Sequence, residues 1–167
     1  MLQKTSHYMR QANLIGGEWV QADSGATIDV INPATGLKMG TVPKGGKAET
    51  RRAIEAAAEA FKSWRRTSAL DRSKLLHKLA DALLDNQDSL AELLTMEQGK
   101  SLTESKGEIG SSAAYVRWFA EEGRRTYGDI VPSPWADRRI LVNREPVGVI
   151  AAITPWNFPS SMLARKI

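Results

Sequence analysis

The sequence contains no cysteine among its 167 residues. This absence excludes disulfide bonds, thiolate metal ligands and a cysteine nucleophile within these residues. Histidine is nearly absent as well, because only His7 and His77 occur. The two are too far apart in the chain to form the spaced ligand set of a metal site. We therefore expect both to be ordinary surface or packing residues.

The chain also lacks a long apolar run. No stretch reaches the roughly 20 consecutive apolar residues that a membrane span needs. The first ten residues have neither the apolar core nor the small-residue cleavage pattern of a signal peptide. With 42% hydrophobic and 25% charged residues, the composition is that of an ordinary globular protein. These features predict a cytoplasmic protein with no membrane partner.

The formal net charge is +4, which would suit a nucleic-acid partner only if the basic residues were concentrated on one face. The basic pairs are instead dispersed and mixed with acidic residues; they are Arg51-Arg52, Arg65-Arg66, Arg124-Arg125 and Arg138-Arg139. Solvated helix faces explain them better, and we expect no nucleic-acid partner. The KGGK segment, residues 44–47, lacks the spacing and the Ser/Thr of a phosphate-binding loop.

Residues 11–43 are rich in turn formers and short β-prone stretches. Leu14-Ile15 and the stretch 18–20 flank Gly16-Gly17, and a further stretch follows from Thr27 to Ile31. Asn32-Pro33 then breaks the pattern. This arrangement predicts strands and hairpins.

From Ala48 the apolar period becomes that of a helix. Ser68 and Ser101 each begin an S-x-x-D/E pattern that is typical of a helix N-terminus, and Gly99 is typical of a helix C-terminus. The apolar stripes of the predicted helices comprise Ile54, Ala57, Ala58, Phe61, Leu75, Leu76, Leu79, Leu83, Leu84, Leu90, Leu93, Leu94, Ile109, Ala113, Val116 and Ala120. Helices are thus expected from residue 48 to residue 123.

Three aromatic residues, Tyr115, Trp118 and Phe119, lie on the last of these helices. They are compatible with an aromatic platform for a ligand. Their helical spacing favours core or interface packing instead.

The pattern turns extended again after Gly128. Residues 138–143 predict one strand, and the run VGVIAAI, residues 147–153, is apolar throughout. A strand with no polar face is typical of a parallel sheet covered by helices on both sides. The segment TPWNFP, residues 154–159, follows this run, and residues 160–167 would begin the next helix. Because ligands bind at the carboxyl ends of strands in open α/β sheets, TPWNFP is a candidate site.

The pairing of GVIAAITPWNFP with the upstream segment EQGKSLTESKGEI, residues 97–109, resembles the aldehyde dehydrogenase superfamily. Three further segments are similar to its succinate-semialdehyde dehydrogenase branch: NPATG at 32–36, WFAEEGRRTYGD at 118–129 and SSMLARK at 160–166. The resemblance extends from about residue 12 to the end of the chain.

The resemblance implies an α/β fold class, namely a truncated N-terminal part of the aldehyde dehydrogenase fold with hairpins, helices, an oligomerisation strand and the start of a Rossmann-like parallel sheet. It divides the chain into a tail (1–12), the N-terminal part of the cofactor-binding domain (13–137), an oligomerisation arm (138–147) and the start of the Rossmann-like core (148–167).

The resemblance also implies roles for individual residues. Asn157 matches the asparagine whose amide stabilises the oxyanion formed on the aldehyde. The residues that match positions lining the nicotinamide and ribose of NAD or NADP are Ile153, Thr154, Pro155 and Trp156. Arg165 matches an arginine that binds the distal carboxylate of the substrate. The residues alone favour a cap or turn role for Asn157 and simple packing for Trp156. Arg165 could equally be an exposed arginine near a helix end.

By resemblance, the full-length enzyme oxidises succinate semialdehyde, or another small aldehyde, with NAD(P) and forms homo-oligomers. The family's nucleophile, general base and remaining cofactor site lie beyond residue 167, so we expect this chain to be inactive alone. We also expect its helices to leave apolar stripes exposed, which favours association. Three alternatives stay open: a chain that pairs with an intact subunit through residues 138–147, a decayed fragment, and an incomplete sequence of a normal enzyme.

Overall fold

The computed structural model describes residues 8–167, so the first seven residues of the predicted tail, His7 among them, lie outside the described part. The strands are β1 Asn13–Ile15, β2 Glu18–Val20, β3 Thr27–Ile31, β4 Lys38–Pro43, β5 Asp129–Val131 and β6 Ile140–Val142. The helices are α1 Lys47–Trp64, α2 Ala69–Asp85, α3 Gln87–Gln98, α4 Leu102–Glu122 and α5 Pro159–Ala164, with a 3-10 turn at Gly123–Arg125.

The N-terminal strands form two antiparallel hairpins, as predicted. In the first hairpin Leu14 lies opposite Trp19, and the turn between them is Gly16-Gly17, with φ angles of 62° and 87°. Positive φ at both positions is the requirement of a tight two-residue hairpin turn, which glycine meets without strain. The second hairpin pairs β3 with β4 from Thr27 opposite Pro43 onward.

Glu49 joins the loop after the first hairpin to the beginning of α1. Its carboxylate accepts hydrogen bonds from the backbone N–H groups of Asp23, at 2.7 Å, and Gly46, at 2.8 Å. These two hydrogen bonds hold the pKa of the Glu49 carboxyl below its usual range, and the bond from the Asp23 amide has the larger effect. The contact fixes the hairpin region against the helical part of the chain.

The helices pack through two small apolar clusters. Ala80 of α2, Ala113 and Val116 of α4 and Ala164 of α5 form the first cluster. Ala91 and Leu94 of α3 meet Ile109 of α4 in the second. Alanine dominates these contacts, which allows the helix backbones to approach closely. Helix α4 therefore lies at the centre of the helical layer, between α2, α3 and α5.

The predicted helix ends are confirmed. The Ser68 hydroxyl accepts a hydrogen bond from the Asp71 amide at 3.1 Å, and the Ser101 hydroxyl accepts one from the Glu104 amide at 3.3 Å. Helix α1 begins at Lys47, one residue before the predicted Ala48. Short-range capping patterns therefore placed the beginnings of α2 and α4 correctly, and apolar periodicity placed that of α1 to within one residue.

Gly99 ends α3 in the left-handed conformation, with φ of 85°. A Cβ atom at this position would lie 2.9 Å from Cγ of Pro33. The position thus requires glycine both for its dihedral angle and for space. The turn leads directly to Lys100 and the first residues of α4.

The prediction of a buried strand over residues 147–153 is wrong. These residues form no strand, and Val147 and Ile153 are 92% and 91% exposed. Among residues 8–167, every sheet is a two-stranded antiparallel hairpin, so this segment has no neighbour to pair with. The predicted strand at 138–143 is confirmed in shortened form as β6, and the helix predicted at 160–167 is α5.

The expected exposure of apolar helix faces is confirmed. Ile54 of α1 is 54% exposed and Leu75 of α2 is 49% exposed. On α4, Trp118 is 63% exposed and Phe119 is 40% exposed, so these aromatics are not core residues of the described part. Within that part, no helix is both long and apolar enough to cross a bilayer.

Candidate functional site

The TPWNFP segment forms an exposed turn immediately before α5. Trp156 and Asn157 lie at the tip of the turn, and Trp156 is 80% exposed. Within the described residues, no hydrogen bond engages the side-chain amide of Asn157, which is itself exposed. The Asn157 amide is therefore available to donate to a ligand.

Lys100 lies between α3 and α4 and supports this turn. Its ammonium group donates to the backbone carbonyl of Asn157 at 2.9 Å and lies 3.9 Å from the centroid of the Phe158 ring. The Lys100 side chain is only 10% exposed. A cation over an aromatic face is attracted by the negative centre of the ring, and more strongly when it is desolvated.

Glu108 provides the second support. One carboxylate oxygen accepts from the Lys100 ammonium at 2.6 Å. The other accepts from the backbone N–H groups of Ser160, at 2.9 Å, and Ser161, at 3.2 Å. The Glu108 side chain is completely buried. Because the first amides of a helix have no partner inside it, this carboxylate satisfies two donors at the beginning of α5.

Serine hydroxyls add a polar contact between α4 and α5. The Ser112 hydroxyl donates to the backbone carbonyl of Glu108 at 2.9 Å, and the Ser112 and Ser160 hydroxyl oxygens lie 2.8 Å apart. The backbone from Asn157 to Ser161 is therefore attached to α4, and to the residue before its cap, at several points. The upstream segment 97–109 and the TPWNFP segment form one structural unit.

Sequence reasoning identified both segments but missed Lys100 and Glu108. The available signal was the position of Glu108 beside Ile109, four residues before Ser112, on the buried stripe of α4. A charged residue on a buried stripe is seldom present without a partner. Its partner was not predictable from periodicity, because Lys100 precedes the helix.

The cofactor-facing residues predicted by resemblance lie together along the chain before Asn157. Ile153 is 91% exposed, Trp156 is 80% exposed and Thr154 is partly buried. Pro155 between them is exposed as well. These residues form an uncovered, mainly apolar surface.

Arg165 lies at the end of α5 and is exposed. Its guanidinium carbon is 5.1 Å from the centroid of the Tyr115 ring on α4. Tyr115 also lines a groove of about 510 Å³ that Lys100, Glu108 and Phe158 border. Tyr115 therefore links the position of Arg165 to the supports of the Asn157 turn.

The electrostatics at the beginning of α4 reinforce the local geometry. The Ser101 hydroxyl donates to the Glu104 carboxylate at 2.8 Å. This bond lowers the pKa of the Glu104 carboxyl, and the bond from the Ser101 backbone amide lowers it further. A negative charge in the first turn also interacts favourably with the helix dipole.

Across the described residues, no cluster of three His, Cys, Asp or Glu side chains suits a metal ion.

Residues 19–167 match the family model described as the aldehyde dehydrogenase family. The chain is 53% identical over 163 residues to glutarate-semialdehyde dehydrogenase of Pseudomonas putida, covering 98% of this chain and 34% of that protein. It is 52% identical over 161 residues to the NADP(+) succinate-semialdehyde dehydrogenase GabD of Escherichia coli, covering 96% of this chain and 33% of that protein. The chain thus spans about a third of the length of these relatives.

Solved structures give the same result. The structure described as an E. coli NADP dependent enzyme superposes with a TM-score of 0.94 at 52% identity, over 96% of this chain and 34% of that one. Succinate-semialdehyde dehydrogenase from Burkholderia pseudomallei superposes with a TM-score of 0.93 at 54% identity, over 96% and 33%. These matches confirm the predicted resemblance, the α/β class and the match to the N-terminal part of the fold.

Proposed function

Because this chain belongs to the aldehyde dehydrogenase family, we propose that its TPWNFP turn supplies the oxyanion-stabilising amide and one wall of the cofactor site for NAD(P)-dependent oxidation of a semialdehyde. The relatives at 52% and 53% identity are named for succinate semialdehyde and glutarate semialdehyde. Both substrates combine an aldehyde with a distal carboxylate. The observation that supports the proposal is the exposed Asn157 amide on a firmly held turn.

The chemistry that Asn157 serves is addition of a nucleophile to the aldehyde carbon. The electron pair of the C=O bond moves to the oxygen, and the Asn157 N–H group stabilises the resulting negative charge. A neutral donor does this without competing as an acid, and loss of one such donor lowers kcat by about 10²- to 10³-fold. No cysteine occurs in these 167 residues, so a cysteine nucleophile has to come from another part of the enzyme.

The surface formed by Ile153, Thr154, Pro155 and Trp156 is proposed to hold the nicotinamide end of NAD or NADP. Ile153, Thr154, Pro155 and Trp156 would hold the ring, and a bound nicotinamide would supply the hydride acceptor for the substrate carbon. The contribution of this chain is an apolar wall that orients the ring and excludes water. Covering Ile153 and Trp156, which are 91% and 80% exposed here, would add favourable apolar burial.

Arg165 is proposed to bind the distal carboxylate of the substrate. A planar guanidinium matches the two carboxylate oxygens with two parallel hydrogen bonds. Contact with the Tyr115 ring at 5.1 Å restricts the guanidinium, and Arg165 remains exposed. This assignment favours semialdehydes over uncharged aldehydes.

We test the role of Asn157 in a chimaeric enzyme in which residues 1–167 replace the matching third of the E. coli relative, which is 52% identical over this region. We expect Asn157→Ala to lower kcat for succinate semialdehyde by about 10²- to 10³-fold with little change in KM. Asn157→Asp keeps the shape but replaces the donor with a negatively charged acceptor that repels the oxyanion, so it should be impaired at least as strongly. An Asn157→Ala chimaera with unchanged kcat would overturn the proposal.

Because these 167 residues include no cysteine, we expect that the chain alone reduces neither NAD nor NADP. The measurement is cofactor reduction with succinate semialdehyde by purified chain of verified mass. Turnover by the chain alone would contradict the requirement for a nucleophile from elsewhere.

We further propose that residues 138–147 act as an arm between subunits, and that the other boundaries follow the divisions given above. The β5–β6 hairpin supports this, because Ile130 and Leu141 face each other in its register and are 79% and 68% exposed. Sedimentation of the chimaera with Leu141→Asp should show smaller oligomers. An unchanged oligomeric state would contradict the proposal that residues 138–147 act as an arm between subunits.

A further inference from the structure

We propose that Lys100 and Glu108 are positioning residues that set the direction of the Asn157 amide. This inference rests on the proposed role of Asn157 as the oxyanion donor. It adds two residues that act on the reaction through the turn, without touching substrate.

The side chain of Asn157 makes no hydrogen bond inside the described part of the chain, so its direction depends on its backbone. Lys100 contacts the backbone at that residue, since its ammonium lies 2.9 Å from the Asn157 carbonyl oxygen. The same ammonium lies 3.9 Å from the ring centroid of the next residue, Phe158. One cation thus fixes two consecutive residues of the turn.

Glu108 fixes the other end of the turn. Its carboxylate joins the Lys100 ammonium, at 2.6 Å, to the amides of Ser160 and Ser161, at 2.9 and 3.2 Å. The carboxylate is rigid because both of its oxygens are engaged and the side chain is completely buried. The backbone between Asn157 and Ser161 is therefore held from both ends by one ion pair.

The burial of the Lys100–Glu108 ion pair favours a positioning role over a purely stabilising one. Burial of two opposite charges is often no more stabilising than a pair of well-packed apolar side chains. An apolar pair, however, could not bond the Asn157 carbonyl or the Ser160 and Ser161 amides. The ion pair supplies directional contacts to the turn, which is what an oriented donor requires.

The test is a double-mutant cycle on kcat in the chimaeric enzyme described above. Misplacement of a reacting group by about 1 Å can cost about 10²-fold in rate, so we expect Lys100→Met to lower kcat by about 10- to 100-fold with little change in KM for NADP. In an Asn157→Ala background the same substitution should have almost no further effect, because there is no longer an amide to orient. Lys100→Arg should recover part of the lost kcat.

The matched control is Lys106→Met, which removes an exposed ion pair with Asp88 on the same helix layer and should leave kcat unchanged. If Lys100→Met impairs folding, the pair Lys100→Met/Glu108→Leu replaces both charges with apolar side chains and enters the same cycle. Equal losses of kcat with Asn157 present and in the Asn157→Ala background would overturn this inference. An Asn157→Ala variant with normal kcat would instead overturn the proposed function itself, so the two failures are distinguishable.

Discussion

Substitution of Gly99 by alanine tests the turn between α3 and α4. Gly99 has φ of 85°, a conformation that costs an L-residue with a Cβ about 1–2 kcal/mol. The new Cβ would also lie 2.9 Å from Cγ of Pro33, and relief of such overpacking typically costs about 1–3 kcal/mol. We therefore expect Gly99→Ala to lower the free energy of unfolding by about 2–5 kcal/mol.

The assay is urea unfolding followed by circular dichroism, with all variants at the same protein concentration. The control is Gly107→Ala in the middle of α4, where a Cβ meets nothing within 4 Å. This substitution should raise the free energy of unfolding by about 0.5–1 kcal/mol, because alanine is the better helix former. The same substitution, glycine to alanine, is thus expected to lower the free energy of unfolding at residue 99 and to raise it at residue 107.

A third variant separates the two causes at Gly99. Pro33→Ala removes the atom that the new Cβ would approach, so the double variant should recover the steric part of the loss and keep the dihedral part. A Gly99→Ala variant less than about 1 kcal/mol below the wild type would refute the reasoning, because the dihedral cost alone is at least about 1 kcal/mol.

Three further predictions concern a helix cap, the substrate carboxylate and self-association. Ser101→Ala removes the hydroxyl donor that lowers the pKa of Glu104 below its usual 4.5. A carboxyl whose pKa is lowered in the folded protein stabilises the fold above pH 4.5, and this contribution is lost as the pH falls through the lowered pKa. The difference in stability between variant and wild type, measured from urea midpoints, should therefore shrink as the pH falls below about 4.5. Arg165→Met in the chimaera should lower kcat/KM for succinate semialdehyde by about 10- to 100-fold but hardly affect butyraldehyde in parallel assays. Because large apolar side chains such as Trp118 are 63% exposed, the 167-residue chain should self-associate in sedimentation velocity, and a monodisperse monomer would contradict this.

The features that the sequence predicted well depend on neighbours close in the chain. The turn at Gly16-Gly17, the caps at Ser68 and Ser101 and the stop at Gly99 each follow from a few adjacent residues. Local steric and hydrogen-bonding rules are sufficient there. The helical layer was correctly predicted for the same reason.

The failures depend on partners far away in the chain. The run at 147–153 has the composition of a buried strand, but a strand needs a neighbour to complete its hydrogen bonds, and no described residue provides one. The contact between Lys100 and Asn157 joins residues 57 positions apart, and no periodicity indicates it. The roles of Asn157 and Arg165 came from resemblance alone and remain proposals.

The attachment of the TPWNFP turn to α4 also has a consequence for protein engineering. A designer who transplants only the six-residue loop into another scaffold would carry over the amide without the atoms that aim it. A portable version would need two discontinuous pieces: the turn with the first residues of α5, and the segment from Gly99 to Ser112. The smallest transferable unit of this site is therefore a pair of segments whose spacing in three dimensions, rather than in sequence, has to be preserved.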